Sequence, residues 1–267
     1  MSTGQRHSKY IKPFSVSAIL FFSVVLCSEC PCLSYNVYIG KPNQGGLPSF
    51  YFDPLMNYFN SQPDINYIMA QMMPTVLTNY DLYITGSAGL STSGYYEYSS
   101  AEVTALWDYL NAGGRVLFFS DHTGAGGPGK YVDPYLNLLL PQLGSGMSLN
   151  GGLLDGGGHH DSIPGQILSD PFTQDVELIR YAGVNTITGG TPLFLASNLT
   201  KSFFSYEHIG SGCLFLSGDI NLMDLTPDPA YDNGQFFRNL ITIPEPTMIW
   251  LLGLGGLVLR KNHRRGR

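Results

Sequence analysis

The stretch from Ser99 to Ser120 limits the fold more than any other part of the chain. Ser99 and Glu102 have the spacing of a capping box, which opens a helix by satisfying its first free N–H groups. Val103, Leu106, Trp107 and Leu110 follow at i, i+3, i+4 and i+7 and predict one apolar stripe on a helix ending at Asn111. Gly113-Gly114 can then adopt the left-handed cap. Arg115 to Ser120 reads Arg-Val-Leu-Phe-Phe-Ser, the near-continuous apolar run of a strand buried on both faces. Asp81 to Thr85 reads as a strand before the helix. Strand, helix and buried strand make a βαβ unit, which requires a parallel sheet. The chain is therefore expected to be α/β, with a single open, mainly parallel sheet flanked by helices.

The other segments fit that plan. Asn36–Gly40 and Ile65–Met69 read as strands, with a helix over Ser49–Asn60 between them. Val132–Leu140 and Asn233–Ile241 read as helices. Val176–Ile179 and Thr191–Ala196 are candidate strands. Lys201–His208 and Gly212–Ser217 read as a hairpin turning at Ile209-Gly210-Ser211. Residues 144–166 are glycine-rich and without periodicity.

Both ends differ in character from this middle. Arg6, Lys9 and Lys12 precede the apolar run Phe14–Cys27, the layout of an export signal with a charged start and a short hydrophobic region. At the other end Pro244-Glu245-Pro246 is followed by the apolar run Thr247–Leu259. Arg260, Lys261, Arg264, Arg265 and Arg267 close the chain and would hold it on the cytoplasmic side of a bilayer. The apolar run has thirteen residues. As a helix it would span roughly 20 Å, short against a hydrocarbon core of about 30 Å. The expected division is a signal peptide over 1–34, an α/β domain over 35–242 and a C-terminal segment over 243–267.

Composition changes once the ends are set aside. The whole chain has a formal charge of −6. Residues 35–243 carry six basic against eighteen acidic residues, a balance of −12. That excludes nucleic acid and anionic lipid as partners recognised by charge. Of the four cysteines, Cys27, Cys30 and Cys32 cluster near the expected cleavage region, leaving Cys213 alone in the domain as a core residue.

The Pro-Glu-Pro motif, apolar run and basic end together resemble the PEP-CTERM sorting signal of bacterial envelope proteins. The resemblance implies export, at least transient anchoring through the C-terminal helix, and an exosortase-type membrane peptidase that recognises Pro244, Glu245 and Pro246. It also implies delivery to the surface or an extracellular matrix, with exopolysaccharide as a possible associate. Within the domain, the segments Asn79–Gly86, Ser99–Phe119 and Leu214–Asp219 resemble the class I glutamine amidotransferase-like, flavodoxin-like fold. Active members carry a cysteine nucleophile after a buried strand. Here that strand end offers Ser120, Asp121 and His122, so glutaminase chemistry is not expected.

In an open α/β sheet, ligands sit beyond the carboxyl ends of the strands. Gly86–Gly89, Ser120–Gly129 and Gly218-Asp219 share that address, and Asp121, His122 and Asp219 are the candidate catalytic set. His159, His160 and Asp161 are weaker candidates for zinc. Asp224, Asp228 and Asp232 are weaker candidates for calcium. No cofactor is expected from any complete motif. The sequence leaves two functions open. The first and favoured one is an envelope or matrix protein with a non-enzymatic binding or structural role. The other is an exported hydrolase of envelope polysaccharide or peptide using a divergent Asp/His site.

Overall fold

The computed structural model describes residues 34–40, 52–70, 72–85, 98–124, 127 and 129–243. The expected signal run, the Gly86–Gly89 loop and the Pro-Glu-Pro segment with its apolar and basic continuation lie outside the described residues. Among the described residues no helix is long and apolar enough to cross a membrane.

Strands β1 (Tyr35–Gly40), β2 (Ile65–Ala70), β3 (Leu82–Thr85) and β4 (Arg115–Phe119) appear in chain order with helices α1 (Asp53–Ser61) and α2 (Ser100–Asn111). Helix α3 (Gly129–Gln142) follows. Seven more strands come next: β5 (Ser148–Leu149), β6 (His160–Asp161), β7 (Arg180–Tyr181), β8 (Ile187–Thr188), β9 (Thr191–Leu195), β10 (Ser202–Ile209) and β11 (Gly212–Ser217). Helix α4 (Asn233–Thr242) closes the described chain. The main sheet runs β2-β1-β3-β4-β11-β10-β8-β5, with β9 also paired to β10. The half from β2 to β11 is parallel throughout. The β10 side is antiparallel.

Each central strand supplies both cores by simple alternation. Ile39, Ile84, Leu117, Phe119 and Phe215 pack on one face with Leu55 and Phe59 of α1 and Phe236, Phe237 and Leu240 of α4. Tyr38, Tyr83, Val116, Phe118, Leu214 and Leu216 pack on the other with Leu106 and Leu110 of α2 and Leu136 and Leu140 of α3. Helices thus cover both faces, as a parallel sheet requires. Cys213 is buried in the first core.

The β3–α2–β4 unit forms as its sequence predicts. Ser99 Oγ accepts from the Glu102 N–H at 3.3 Å, and Glu102 Oε2 accepts from the Ser99 N–H at 2.9 Å. Gly113 sits at φ +100° and the Gly114 N–H donates to the Tyr109 carbonyl, closing the helix end. Two expectations are corrected. Trp107 is not part of the buried stripe; it is 45% exposed, while Tyr109 is buried and donates its hydroxyl proton to the Tyr80 carbonyl. Val176–Ile179 is not a strand either. Its N–H groups bond to side chains instead: Glu177 and Leu178 donate to Asp232 Oδ2, and Ile179 donates to Ser162 Oγ.

The two described ends of the domain meet. Tyr35, Asp81, Tyr109, Arg115, Ile241 and Thr242 all line one cavity of about 310 Å³ at the amino edge of the parallel strands.

Candidate active site

At the opposite edge, β4 and β11 deliver the candidate carboxylates. Phe119 pairs with Ser217 as the last residues in register, and the Ser120 N–H extends the ladder by donating to the Ser217 carbonyl at 2.7 Å. Two residues beyond that pair on each strand come Asp121 and Asp219. Strand alternation sends both toward the face that carries Phe119. Asp121 is 6% exposed and Asp219 is fully buried.

Asp219 is held on both oxygens. Oδ2 accepts the Ala182 N–H at 2.9 Å and Oδ1 accepts the Asn221 N–H at 2.8 Å. Asp121 Oδ1 accepts the His122 N–H at 2.7 Å. Burial raises the Asp121 carboxyl to about 7, opposed by the His122 hydrogen bond and reinforced by Asp224 and Asp133. Burial also raises Asp219, to about 8, and the Asp121 charge adds to the shift against the two backbone hydrogen bonds. Two buried carboxyls raised toward neutral pH at one edge of the sheet are groups of the kind that acid–base catalysis uses.

Gly127 and Gly129 press closely on the Asp121–His122 backbone. The Gly129 N–H donates to the His122 carbonyl at 3.1 Å. A Cβ on Gly129 would lie 1.8 Å from the Asp121 carbonyl oxygen. A Cβ on Gly127 would lie 2.1 Å from the His122 carbonyl oxygen. The glycines are thus needed for close backbone approach rather than for flexibility. His122 Nδ1 is buried without a hydrogen-bond partner among the described residues.

A second buried group backs the pair from the other face. Asp133 of α3 accepts from Ser120 Oγ at 2.5 Å and from Asn185 Nδ2 at 2.6 Å. Burial raises its carboxyl, tempered by those two donors. Asn185 in turn donates its N–H to the Gly218 carbonyl at 2.9 Å. Asp133 and Asn185 are parts of this site that the sequence reading missed, and Asp224, read there as a calcium candidate, acts on the pair instead. For Asp133 a signal existed: it lies beside Val132, Leu136 and Leu140 on the buried side of a helix. Asn185 carries no local pattern that marks it.

The proposed histidine ligands do not converge. His159 Nε2 lies 3.3 Å from Asp224 Oδ2. His160 packs its ring 5.8 Å from that of Tyr181, and Asp161 is paired with Arg180 at 2.9 Å. His160 and Asp161 are neighbours in β6, so alternation turns their side chains to opposite sides. The three aspartates read as calcium candidates are also committed separately. Asp224 accepts from Asn221 Nδ2, Asp228 accepts the Ala230 N–H, and Asp232 accepts the Glu177 and Leu178 N–H groups. Among the described residues no group of three or more His, Cys, Asp or Glu side chains is arranged to hold a metal ion.

No family model matches the chain. No curated protein matches it in sequence. Solved structures do match in shape. A cytoplasmic protein from Salmonella typhimurium is 13% identical, with a TM-score of 0.53, over 79% of this chain and 98% of that protein. An exo-β-1,4-mannosidase from an Opitutaceae bacterium is 10% identical, with a TM-score of 0.49, over 85% of this chain and 39% of the mannosidase. A cold-adapted β-galactosidase from Rahnella is 16% identical, with a TM-score of 0.45, over 78% of this chain and 31% of the galactosidase. The chain thus spans well under half the length of either glycosidase. The first likeness concerns the fold alone: this chain is similar in architecture to the Salmonella protein, a mixed α/β domain with a largely parallel sheet and helices on both faces.

Proposed function

We propose that the chain is an exported hydrolase of envelope polysaccharide or peptide in which Asp121 acts on the substrate and Asp219 holds the proton beside it. The observation that carries this reading is the pairing of two buried carboxyls at the ends of neighbouring parallel strands, the usual ligand address of an open sheet. Burial raises both, and the Asp121 charge adds to the rise at Asp219. A paired acid and base is the minimum needed to protonate a leaving group and activate water. The strand order β2-β1-β3-β4-β11 supports a flavodoxin-like arrangement for the parallel half.

Delivery is part of the same proposal. The Pro244-Glu245-Pro246 motif, the apolar run after it and the basic end support sorting by an exosortase-type peptidase. Both described chain ends lie at the amino edge of the sheet, opposite the carboxylate pair.

One observation favours the second reading, a binding or structural protein without turnover. Asp219 is fully buried and spends both oxygens on backbone N–H groups, which is also how a purely structural carboxylate behaves. The deciding experiment is hydrolysis of a panel of aryl glycosides, purified exopolysaccharide and peptidoglycan by the full chain between pH 5 and 8. Turnover lost on Asp121→Asn, with an unchanged melting profile at pH 5, supports the hydrolase. Absence of turnover across the panel leaves the binding role.

A further inference from the structure

We infer that Leu153-Leu154-Asp155 is a lid over the carboxylate pair, which lifts between two sets of glycines to let substrate reach Asp121. The inference rests on the hydrolase reading, and burial is what demands it. Asp219 is fully buried and Asp121 is 6% exposed. No substrate touches either carboxyl until a neighbouring segment moves.

This segment joins the loops that carry the two carboxylates. At its start it is tied to the loop after β4. The Thr123 N–H donates to the Gly152 carbonyl at 2.8 Å, and the Gly152 N–H donates to Thr123 Oγ1. Leu153 then lies between two glycines. A Cβ on Gly124 would lie 3.1 Å from Leu153 Cδ2, and a Cβ on Gly183 would run into Leu153 Cδ1. Gly124 lies two residues after His122, whose N–H holds Asp121. Gly183 follows Ala182, whose N–H holds Asp219. Beyond the segment, His159 meets Asp224 in the loop after β11.

The fastenings are local and the flanks can turn. Leu154 and Val184 exchange N–H···O bonds, both at 3.0 Å. Asp155 accepts from the Tyr181 hydroxyl at 3.1 Å, from the Ser197 N–H at 2.9 Å and from Ser197 Oγ. It sits at φ +66°, a region uncommon for a residue with a Cβ, so these bonds make it a latch. Gly151 and Gly152 precede the segment at φ +73° and +108°, and Gly156 follows it at +72°. Cβ atoms on Gly157 and Gly158 would meet nothing within 4 Å. Glycines on both sides give the backbone the freedom a lid needs. Leu153 is already 40% exposed, so lifting it uncovers little further apolar surface.

The test uses the full chain in detergent, with Cys27, Cys30 and Cys32 changed to Ser and buried Cys213 retained. Leu154→Cys with Val184→Cys is added as a lock. An antiparallel pair that exchanges both bonds has Cα atoms about 5.5 Å apart, within the range of a disulfide. A water-soluble carbodiimide with an amine labels accessible carboxyls, and peptide mass spectrometry reads Asp121. Buried Asp133 reports global unfolding. In the reduced protein Asp121 is expected to label well ahead of Asp133. Oxidation is expected to slow Asp121 at least about tenfold, and reduction to restore it. Leu153→Ala leaves the latch intact and is expected to speed labelling severalfold. Asp121 labelling no faster than Asp133 overturns the inference, because only unfolding then exposes it. Equal rates in the locked and reduced forms also overturn it. Should the disulfide not form, Leu153→Ala decides, and an unchanged rate overturns the lid. The hydrolysis panel is scored separately. Gated labelling without turnover keeps the lid, over a binding site, and removes the hydrolase.

Discussion

The guanidinium of Arg115, at the first position of β4, donates to the carbonyl of Leu240 in the last turn of α4 at 2.8 Å. It also reaches the carbonyls of Ile241 and Ile243. A helix leaves its final carbonyls without partners inside the helix. Arg115 supplies them from the strand beneath, and at 7% exposure water cannot substitute. One side chain thus ties the centre of the sheet to the end of the domain, immediately before Pro244.

Arg115→Met is expected to strand those carbonyls and to cost on the order of 3 kcal/mol, since hydrogen bonds from a charged donor are worth about 1.5–3 kcal/mol each and do not add fully. Arg115→Lys offers a point charge without the planar fork and is expected to recover only part of the loss. Urea unfolding of the three proteins checks the order parent, Lys, Met. Equal midpoints would mean that the end of α4 is held by its apolar face alone.

The raised carboxyls at the opposite edge make stability depend on pH in a definite direction. An aspartate in the unfolded chain titrates near about 4, whereas Asp121 and Asp219 in the folded chain titrate at about 7 and about 8. Between those values the folded state binds more protons than the unfolded state. The contribution is therefore complete below pH ~4 and is lost as pH rises through the folded values. Asp121→Asn keeps an oxygen for the His122 N–H and removes the charge that repels Asp219. The variant is expected to match the parent at acid pH and to exceed it by roughly 1–3 kcal/mol at alkaline pH, with one shifted pKa unit worth about 1.4 kcal/mol. Chemical denaturation at several pH values reads this. A parent that gains stability from pH 5 to 8, with no change in Asp121→Asn, would refute the buried pair.

Gly129 makes the same shelf sensitive to one methyl group. A Cβ there would fall 1.8 Å from the Asp121 carbonyl oxygen, far inside contact distance, and the obstacle is backbone rather than a movable side chain. Gly129→Ala must displace either the Asp121–His122 segment or the start of α3. A loss of about 2–4 kcal/mol is expected from such overpacking. Any hydrolytic activity should fall together with it. A thermal melt within a degree of the parent would mean that the loop does not press on the strand end.

How much of this was legible depends on how local each determinant is. The β3–α2–β4 unit is written in neighbouring residues: Ser99 and Glu102 three apart, Gly113 directly after the helix, an apolar run for the strand. Asp121 and Asp219 were legible for a similar reason, since each follows a buried strand. Trp107 was misread because helical spacing fits two overlapping stripes, and the neighbouring Tyr80 carbonyl rewards Tyr109 instead. Val176–Ile179 has strand-like residues, but its N–H groups are claimed by Asp232 and Ser162, far away in sequence. The partners that complete the site, Asp133, Asn185 and Asp224, are brought to one place only by the fold. No window of sequence contains them together.

The expected fate of the C-terminal segment can be tested on the same folded frame. Arg115 and the last turn of α4 fix the chain as far as Ile243, so Pro244 is the first residue beyond that clamp. Prolines on both sides of Glu245 disfavour a helix or a central strand there, which suits the expected recognition of the motif by a peptidase. In a host that carries an exosortase-type enzyme, mass spectrometry of the mature product is expected to show a C-terminus near Pro244–Pro246. In a host without the enzyme, the full segment through Arg267 is expected to remain with the membrane fraction. Replacing Glu245 with Ala should block removal in the first host and leave the urea midpoint of the domain unchanged, which separates recognition from folding. An intact C-terminus in both hosts would make the apolar run a plain anchor. The proposal of sorted delivery would then fall, while the carboxylate pair at the far edge of the sheet would stand or fall on its own tests.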